Sequence, residues 1–141
     1  MEFPEQIETE RLILKRPYPA TFDLATKLYD VADKSRDTLR EWLPWPDKTH
    51  SAEDEYTHYL IEWCQKHWEE ESGFAFMITL KETGEIIGCV DCCHISKENK
   101  CGEIGYWLSK FHVGKGYMQE SVKALQAAVF EWGLNRIYIR N

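Results

Sequence analysis

The stretch of sequence that decides the fold covers residues 102–118 and reads GEIGYWLSKFHVGKGYM. Its first part, together with Cys101, predicts a strand over Cys101–Leu108. Two glycines, Gly114 and Gly116, follow in a loop, and apolar residues then recur at helical spacing, which predicts a helix over Tyr117–Trp132. The order strand, glycine loop and long helix is the framework to which the remaining elements attach.

The glycine loop has the properties of a phosphate or pyrophosphate site. Glycine allows positive φ and lets main-chain N–H groups face a ligand. The first turn of the helix adds unpaired donors and the positive end of its dipole, and Lys115 adds charge at the rim. Two nucleotide motifs fail, because position 119 is Gln rather than a third glycine and Lys115 precedes Gly116 rather than Ser or Thr. A simple tight turn is the alternative explanation of the glycine pair.

The chain after this framework predicts a helix stop and one more strand. Gly133 followed by apolar Leu134 is typical of a Schellman stop. Residues 136–140 then read as a strand.

The chain before the framework predicts a hairpin and, earlier, helices. Alternating residues 74–80 and the run 86–95 form the hairpin, with its turn at 81–85 and Gly88 as a bulge or a point of close approach. The earlier part predicts a strand over Arg11–Arg16 and a helix over about Ala20–Ala32. A short helix follows and carries Leu39, Trp42 and Leu43. A third helix starts with a capping box at Ser51 and Asp54 and ends before Gly73. Residues 1–141 therefore predict one mixed α/β domain with a largely antiparallel sheet flanked by helices.

Composition and charge narrow the functional class. The 141 residues carry 24 acidic and 17 basic side chains, a formal charge of −7, which disfavours nucleic-acid binding and favours a cationic substrate. No apolar run is long enough to cross a bilayer, and the acidic start does not resemble a signal peptide. We expect a cytoplasmic protein that binds neither nucleic acid nor membrane.

Four of the five cysteines lie close together in the sequence, which raises the question of a metal site. Cys89, Cys92 and Cys93 precede His94, and Cys101 follows nearby. However, the segment reads as a strand, in which successive side chains point to opposite faces, so Cys89 and Cys92 diverge. We therefore expect small, buried, reduced thiols and no metal.

Several motifs resemble one known family. Residues 103–108 (EIGYWL) followed by 113–121 (VGKGYMQES) are similar to the coenzyme A-binding motif of the GNAT superfamily of N-acetyltransferases. Residues 8–14 (ETERLIL), 39–45 (LREWLPW) and 86–88 (IIG) further resemble its RimJ/RimL branch, which acetylates N-terminal amines of ribosomal proteins. The resemblance runs from about Thr9 to the last residue and implies a GNAT-like fold.

The resemblance also implies an activity, with acetyl-CoA as co-substrate. An acetyl group would pass to a primary amine, in first place a protein N-terminus, by direct attack in a ternary complex with Glu103 as general base. Main-chain groups of Tyr106, Trp107 and Leu108 would pair with the pantetheine arm as an added strand. The amides that would hold the pyrophosphate belong to Val113, Gly114, Lys115, Gly116, Tyr117 and Met118. The alternatives are transfer to a small amine, such as a polyamine or an antibiotic, and a non-catalytic module that binds coenzyme A or a partner protein.

Other candidate residues carry simpler interpretations. His94 and His112 are possible bases, but we expect them in a strand end or a solvated loop. We expect Glu120 to support the helix dipole or to lie at the surface. Phe111 stands where the motif often has Gln or Arg, which removes one side-chain contact to the cofactor.

The resemblance extends beyond the residues present here. Family members continue with another helix and closing strands, so we expect this domain to be incomplete at its C-terminus, with the last strand shielded in a homodimer. Tyr106 or Tyr117 would then have to supply the acid that protonates the leaving thiolate.

Overall fold

The computed structural model describes residues 2–39, 51 and 54–139, and its centre is a sheet. Six strands lie side by side in chain order within these residues. Neighbours are antiparallel except for the last pair, which is parallel. The strands are β1 (Gln6–Glu8), β2 (Leu12–Lys15), β3 (Phe74–Leu80), β4 (Ile86–Ser96), β5 (Cys101–Leu108) and β6 (Arg136–Ile139).

Helices cover both faces of this sheet. They are α1 (Phe22–Asp33), α2 (Arg36–Leu39), α3 (Glu55–Gln65), α4 (Lys66–Glu69) and α5 (Tyr117–Trp132). The Thr21 side chain accepts the N–H of Leu24 and so caps α1. At the other end of the chain, α5 crosses from β5 back to the parallel strand β6, as parallel pairing requires.

Two hydrophobic cores lie on the two faces of the sheet because β3, β4 and β5 alternate their side chains. On one face, Phe74, Phe76 and Ile78 pack with Leu125 and Val129 of α5. The other core joins β3, β4 and β5 to α1 and α3, through Met77, Cys89, Trp107, Ala25, Leu28, Ala32 and Leu60. Burial on both faces makes β3 to β5 the rigid centre of the molecule.

Most sequence-predicted elements are confirmed. The hairpin, β5, α5 and β6 lie where the patterns placed them. The Schellman stop is also present. The N–H of Leu134 donates to the carbonyl of Val129 at 3.0 Å, and the N–H of Gly133 donates to the carbonyl of Phe130 at 3.2 Å. The mixed α/β, largely antiparallel fold class is therefore confirmed.

The N-terminal part differs from prediction in two places. Strand β1 was not predicted, because its three residues are too few to show alternation. The third helix does begin after Ser51, whose Oγ accepts the N–H of Asp54 at 3.1 Å, but α3 is a π-helix rather than an α-helix. Residues 40–50, with Trp42, Leu43 and the proline-rich stretch, lie outside the described residues. No described helix has both the length and the apolar character needed to span a membrane.

Gly88 is a point of close approach between β4 and β5, as predicted. A Cβ built there would lie 2.3 Å from the main-chain oxygen of Trp107 and 2.9 Å from the Cα of Leu108. Because both atoms belong to the backbone of a doubly buried strand, neither is free to move aside. Glycine at 88 therefore sets how closely β5 lies against its neighbour.

We expect Gly88→Ala to lower the free energy of unfolding by about 3 kcal/mol, because it forces β4 and β5 apart. Gly84→Ala is the control: Gly84 has φ +79° and open space around it, so only the left-handed backbone opposes a side chain, at about 1–2 kcal/mol. Urea unfolding measures both. A Gly88 variant no less stable than the Gly84 variant would contradict the close approach.

Candidate active site

The second half of β5 is paired on one side by β4, whereas β6 reaches only its first half. Pairing with β4 runs from Glu103 opposite Cys93 to Leu108 opposite Gly88. Parallel pairing with β6 runs from Cys101 to Ile104. Within the described part of the chain, β6 therefore does not extend along residues 105–108, where the sequence predicts a ligand pairing like a strand.

The side chains of residues 106–108, in the second half of β5, pack in the two cores. Trp107 is buried against α1, whereas Tyr106 and Leu108 pack against the core on the α5 face. If these residues bind a ligand, their main chain is what remains to contact it. The predicted role of residues 106–108 rests on the backbone in any case.

The loop after β5 is fixed in place at its start. The N–H of Ser109 bonds the carbonyl of Ile87 at 2.7 Å, and the N–H of His112 bonds the carbonyl of Ser109 at 3.0 Å. The fully buried Ser35 hydroxyl, at the end of α1, accepts the N–H of Lys110 at 2.9 Å. These bonds tie the loop to both β4 and α1.

The second part of the loop is built differently. Gly114 and Gly116 have φ of +78° and +82°, a conformation that glycine adopts without strain. Within the described residues, no hydrogen bond is donated by the main-chain N–H groups of residues 113–119. Helix α5 begins here at Tyr117, so its dipole adds to these exposed donors. The loop and helix start have the composition of an anion site.

An ion pair holds the start of α5 against the turn between β1 and β2. Glu120 accepts the Arg11 Nε at 2.7 Å, the Arg11 main-chain N–H at 2.8 Å and the Thr9 hydroxyl at 2.6 Å. Arg11 also donates through Nη1 to the Lys115 carbonyl at 2.9 Å and lies 4.5 Å from the Tyr117 ring centroid. We call Arg11, Thr9 and Glu120 the loop clamp.

The sequence predicts that Glu120 supports the helix dipole or lies at the surface. In the structure it also binds Thr9 and Arg11 as part of the loop clamp. Partial burial opposes its ionisation, but the hydrogen bonds from Thr9 and Arg11 outweigh this and lower the pKa of Glu120 below its ordinary value. The sequence does not indicate this role of Arg11, which lies in the segment 8–14 (ETERLIL). Pattern alone does not show that residues 11 and 120 meet.

Glu103 and His94 form a hydrogen-bonded pair. The Glu103 side chain is 27% exposed, and its Oε2 lies 2.6 Å from the Nδ1 of His94, which is 74% exposed. His94 lies in β4, has φ of +51° and follows Cys93, the residue opposite Glu103. The Glu103 carboxylate is thus hydrogen-bonded, on its solvent side, to the imidazole of His94.

His112 does not lie in a solvated loop as expected. Its side chain is only 14% exposed, its Nε2 lies 3.7 Å from Glu85, and its buried Nδ1 has no hydrogen-bond partner among the described residues. The reason is that the loop folds back toward α1 and the hairpin. A cavity opens there, and Lys15, Lys27 and Lys34 are among its lining residues, with Asp30, Glu85 and His112.

The sequence of this chain is similar to those of known acetyltransferases. The family model of the acetyltransferase (GNAT) domain matches residues 11–140. The ribosomal-protein-serine acetyltransferase of Escherichia coli (strain K12) is 32% identical over 98 residues, which cover 70% of this chain. An uncharacterized N-acetyltransferase, p20, of Bacillus licheniformis is 43% identical over 134 residues, or 94% of this chain.

A solved structure gives the same picture. The RimL ribosomal L7/L12 alpha-N-protein acetyltransferase in complex with coenzyme A superposes with a TM-score of 0.85 at 25% identity, over 96% of this chain. The matched regions make up 52% of the Escherichia coli protein, 71% of the Bacillus licheniformis protein and 73% of the RimL chain. The present chain therefore spans about half the length of the first of these relatives.

We expect Glu120→Gln to lower the free energy of unfolding at pH 7 by roughly 1–3 kcal/mol, because charged hydrogen bonds to Arg11 and Thr9 are lost. The folded-state pKa of Glu120 lies below its unfolded value, so the contribution is present above the ordinary carboxyl pKa and disappears as pH falls through the folded one. Urea unfolding of both proteins from neutral pH downward measures the difference.

Glu98→Gln is the matched control, since Glu98 is an exposed turn residue that loses the same charge. We expect it to change the stability by less than about 0.5 kcal/mol at every pH. A Glu120 variant whose deficit stays constant as pH falls would show that the clamp is not ionic.

Proposed function

This chain belongs to the acetyltransferase (GNAT) domain family, and we propose that it transfers an acetyl group from acetyl-CoA to a primary amine, in first place the N-terminal α-amine of a protein. The observation that carries the proposal is that, among the described residues, no hydrogen bond is donated by the main-chain N–H groups of residues 113–119, which lie at the start of α5 just beyond the end of β5. The family match covers this whole unit.

The loop supports binding of the coenzyme A diphosphate. The amides of Val113, Gly114, Lys115, Gly116, Tyr117 and Met118 offer hydrogen-bond donors where the helix dipole is positive. Side chains play little part, because the glycines have none and Val113 and Lys115 point into solvent. The loop clamp keeps this backbone in position from behind.

The second half of β5 supports binding of the pantetheine arm. An extended ligand with amide groups joins a sheet by pairing with strand main chain. Residues 106–108 lie beyond the described pairing with β6, and their side chains are already packed in the cores. Tyr106, Trp107 and Leu108 would thus contribute backbone contacts.

The residues around Glu103 supply the proton transfer. Acetyl-CoA, when bound, supplies the thioester that the amine attacks. An α-amine with a pKa of about 7.7–8.0 is largely protonated at neutral pH, so a base must take its proton. Glu103 is the proposed base, and His94, hydrogen-bonded to it at 2.6 Å, connects the carboxylate with solvent. Tyr106 and Tyr117 are the proposed acids for the thiolate.

The relatives indicate the acceptor. The Escherichia coli protein is a ribosomal-protein-serine acetyltransferase, and the RimL structure is that of a ribosomal L7/L12 alpha-N-protein acetyltransferase. A net charge of −7 favours approach of basic proteins, among which we propose a ribosomal protein as acceptor. A small amine and a non-catalytic coenzyme A-binding module are the alternatives that the assays below separate.

The proposed setting is the cytoplasm, where five cysteines without a disulfide are stable as thiols. We extend the proposal to a homodimer of a single domain. The exposure of Tyr138 and Ile139 on β6 favours a covering partner.

We expect Gly114→Asp to weaken acetyl-CoA binding by about ten- to a hundredfold, because it places a carboxylate beside the diphosphate. Gly84→Asp is the control: Gly84 and Gly114 have φ of +79° and +78°, and a Cβ at either position would meet no atom within 4 Å, so backbone strain and added charge match. Calorimetric titration gives both affinities. Equal affinities would place the diphosphate elsewhere.

We expect Glu103→Gln to lower kcat by about 10²–10⁴-fold and leave acetyl-CoA affinity unchanged, because only proton transfer is lost. Coenzyme A release is followed with a basic peptide that has a free N-terminal serine, the same peptide with a blocked N-terminus, and spermidine. Activity on the free peptide alone supports the proposed acceptor, and activity on spermidine alone supports a small amine. Tight binding without release supports a non-catalytic module. Normal turnover by the variant would exclude Glu103 as the base.

A further inference from the structure

Three different metal-binding side chains converge where β4 meets β5. The Sγ of Cys93, the Nδ1 of His94 and a carboxylate oxygen of Glu103 all lie within 4.8 Å of one another. We propose that these three residues form a zinc site, and that a bound Zn²⁺ inhibits the acetyl transfer by occupying the carboxylate of the base. The metal site itself stands independently of the proposed function, whereas the inhibition rests on it.

An irregularity in β4 makes this convergence possible. In a regular strand, neighbours such as Cys93 and His94 point to opposite faces. Here the register with β5 shifts between Cys93 and Ser96, and His94 has φ of +51°. This turns the imidazole back to the side of Glu103. Regular alternation does separate Cys89 and Cys92, which lie in different cores, but it does not hold at His94.

The distances suit zinc. With Zn–S of about 2.3 Å and Zn–N of about 2.0 Å, a tetrahedral site separates sulfur from nitrogen by about 3.5 Å. The Cys93 Sγ and His94 Nδ1 are 3.6 Å apart. The Nδ1 and the Glu103 Oε2 are 2.6 Å apart and would separate to about 3.3 Å around a metal, a movement that the partly exposed glutamate side chain can make.

The donor types also select the ion. Thiolate, imidazole and carboxylate together are typical of zinc, whereas magnesium and calcium prefer oxygen alone. His94 is 74% exposed, so a metal reaches the site from solvent and a water completes the fourth position. Three protein ligands and one open position are expected of an exchangeable site rather than a structural one.

The neighbouring cysteines are placed elsewhere. Cys92 faces the core on the α5 side. Cys89 lies in the core beside α1. Within the described residues, Cys101 is not part of the cluster, although it precedes Glu103 on β5.

Cobalt titration of the chelator-treated protein tests the site directly. Co²⁺ bound by a thiolate gives a near-ultraviolet charge-transfer band, and Zn²⁺ added afterwards removes it. We expect one Co²⁺ per chain, loss of the band in Cys93→Ser, and affinity at least about tenfold weaker in His94→Asn. Cys101→Ser is the control and keeps the band. Absence of the band, or its loss in Cys101→Ser alone, would overturn the proposal.

The variants are chosen to keep the fold. Asn tolerates the left-handed conformation at 94, and His94 is mostly exposed, so its replacement leaves both cores intact. Cys93 is buried, so Cys93→Ala is a second variant in case serine destabilises the strand. Urea unfolding checks that all four variants remain folded.

Activity assays separate the regulatory step from the proposed function. If the metal-free protein acetylates the peptide, we expect Zn²⁺ to inhibit it in parallel with displacement of Co²⁺, and Cys101→Ser to be inhibited equally. Metal binding without inhibition would overturn the regulatory part. Lack of transfer by the metal-free protein would instead contradict the proposed function, with the cobalt band unaffected.

Discussion

The start of α5 has to be held rigidly while its main-chain donors bond no other described residue, and the ion pair between Arg11 and Glu120 meets this constraint. Donors that are free to turn would find partners within the protein. Arg11 prevents this from behind, since it binds Glu120 on the helix and the Lys115 carbonyl in the loop. The clamp therefore uses the carbonyl side of the loop and leaves the N–H side exposed.

The sheet supplies the other half of the site. Because β3 to β5 are buried on both faces, β5 cannot shift relative to β4, and Gly88 sets their separation. The parallel strand β6 follows β5 for only half its described length. A rigid strand that β6 follows over only part of its described length, and a loop at its end with the composition of an anion site, are thus consequences of the same topology.

The sequence predicted the elements whose signals are local. Period two over β3, the glycine loop, the helical spacing of α5 and the stop at Gly133 are each contained within a few residues, and each was confirmed. What it missed depends on long-range contact or on broken regularity. Arg11 and Glu120 meet through folding alone, β1 is too short for a pattern, and the left-handed backbone at His94 breaks the regular alternation expected of a strand. For His112 the sequence predicts a strand end or a solvated loop, because nothing local shows that the loop folds back toward α1 and the hairpin.

The first part of the β5–α5 loop is tied to β4 by Ser109 and to α1 by the hydroxyl of Ser35. Ser35 is completely buried, so releasing the Lys110 N–H would leave an unsatisfied hydroxyl in the interior. The first part of the loop by these bonds, and the second part by the contact of Arg11 with the Lys115 carbonyl, are consequently held in place before any ligand arrives. Association with an anion then loses little conformational entropy in the protein, and affinity is retained that a flexible loop would lose in becoming ordered.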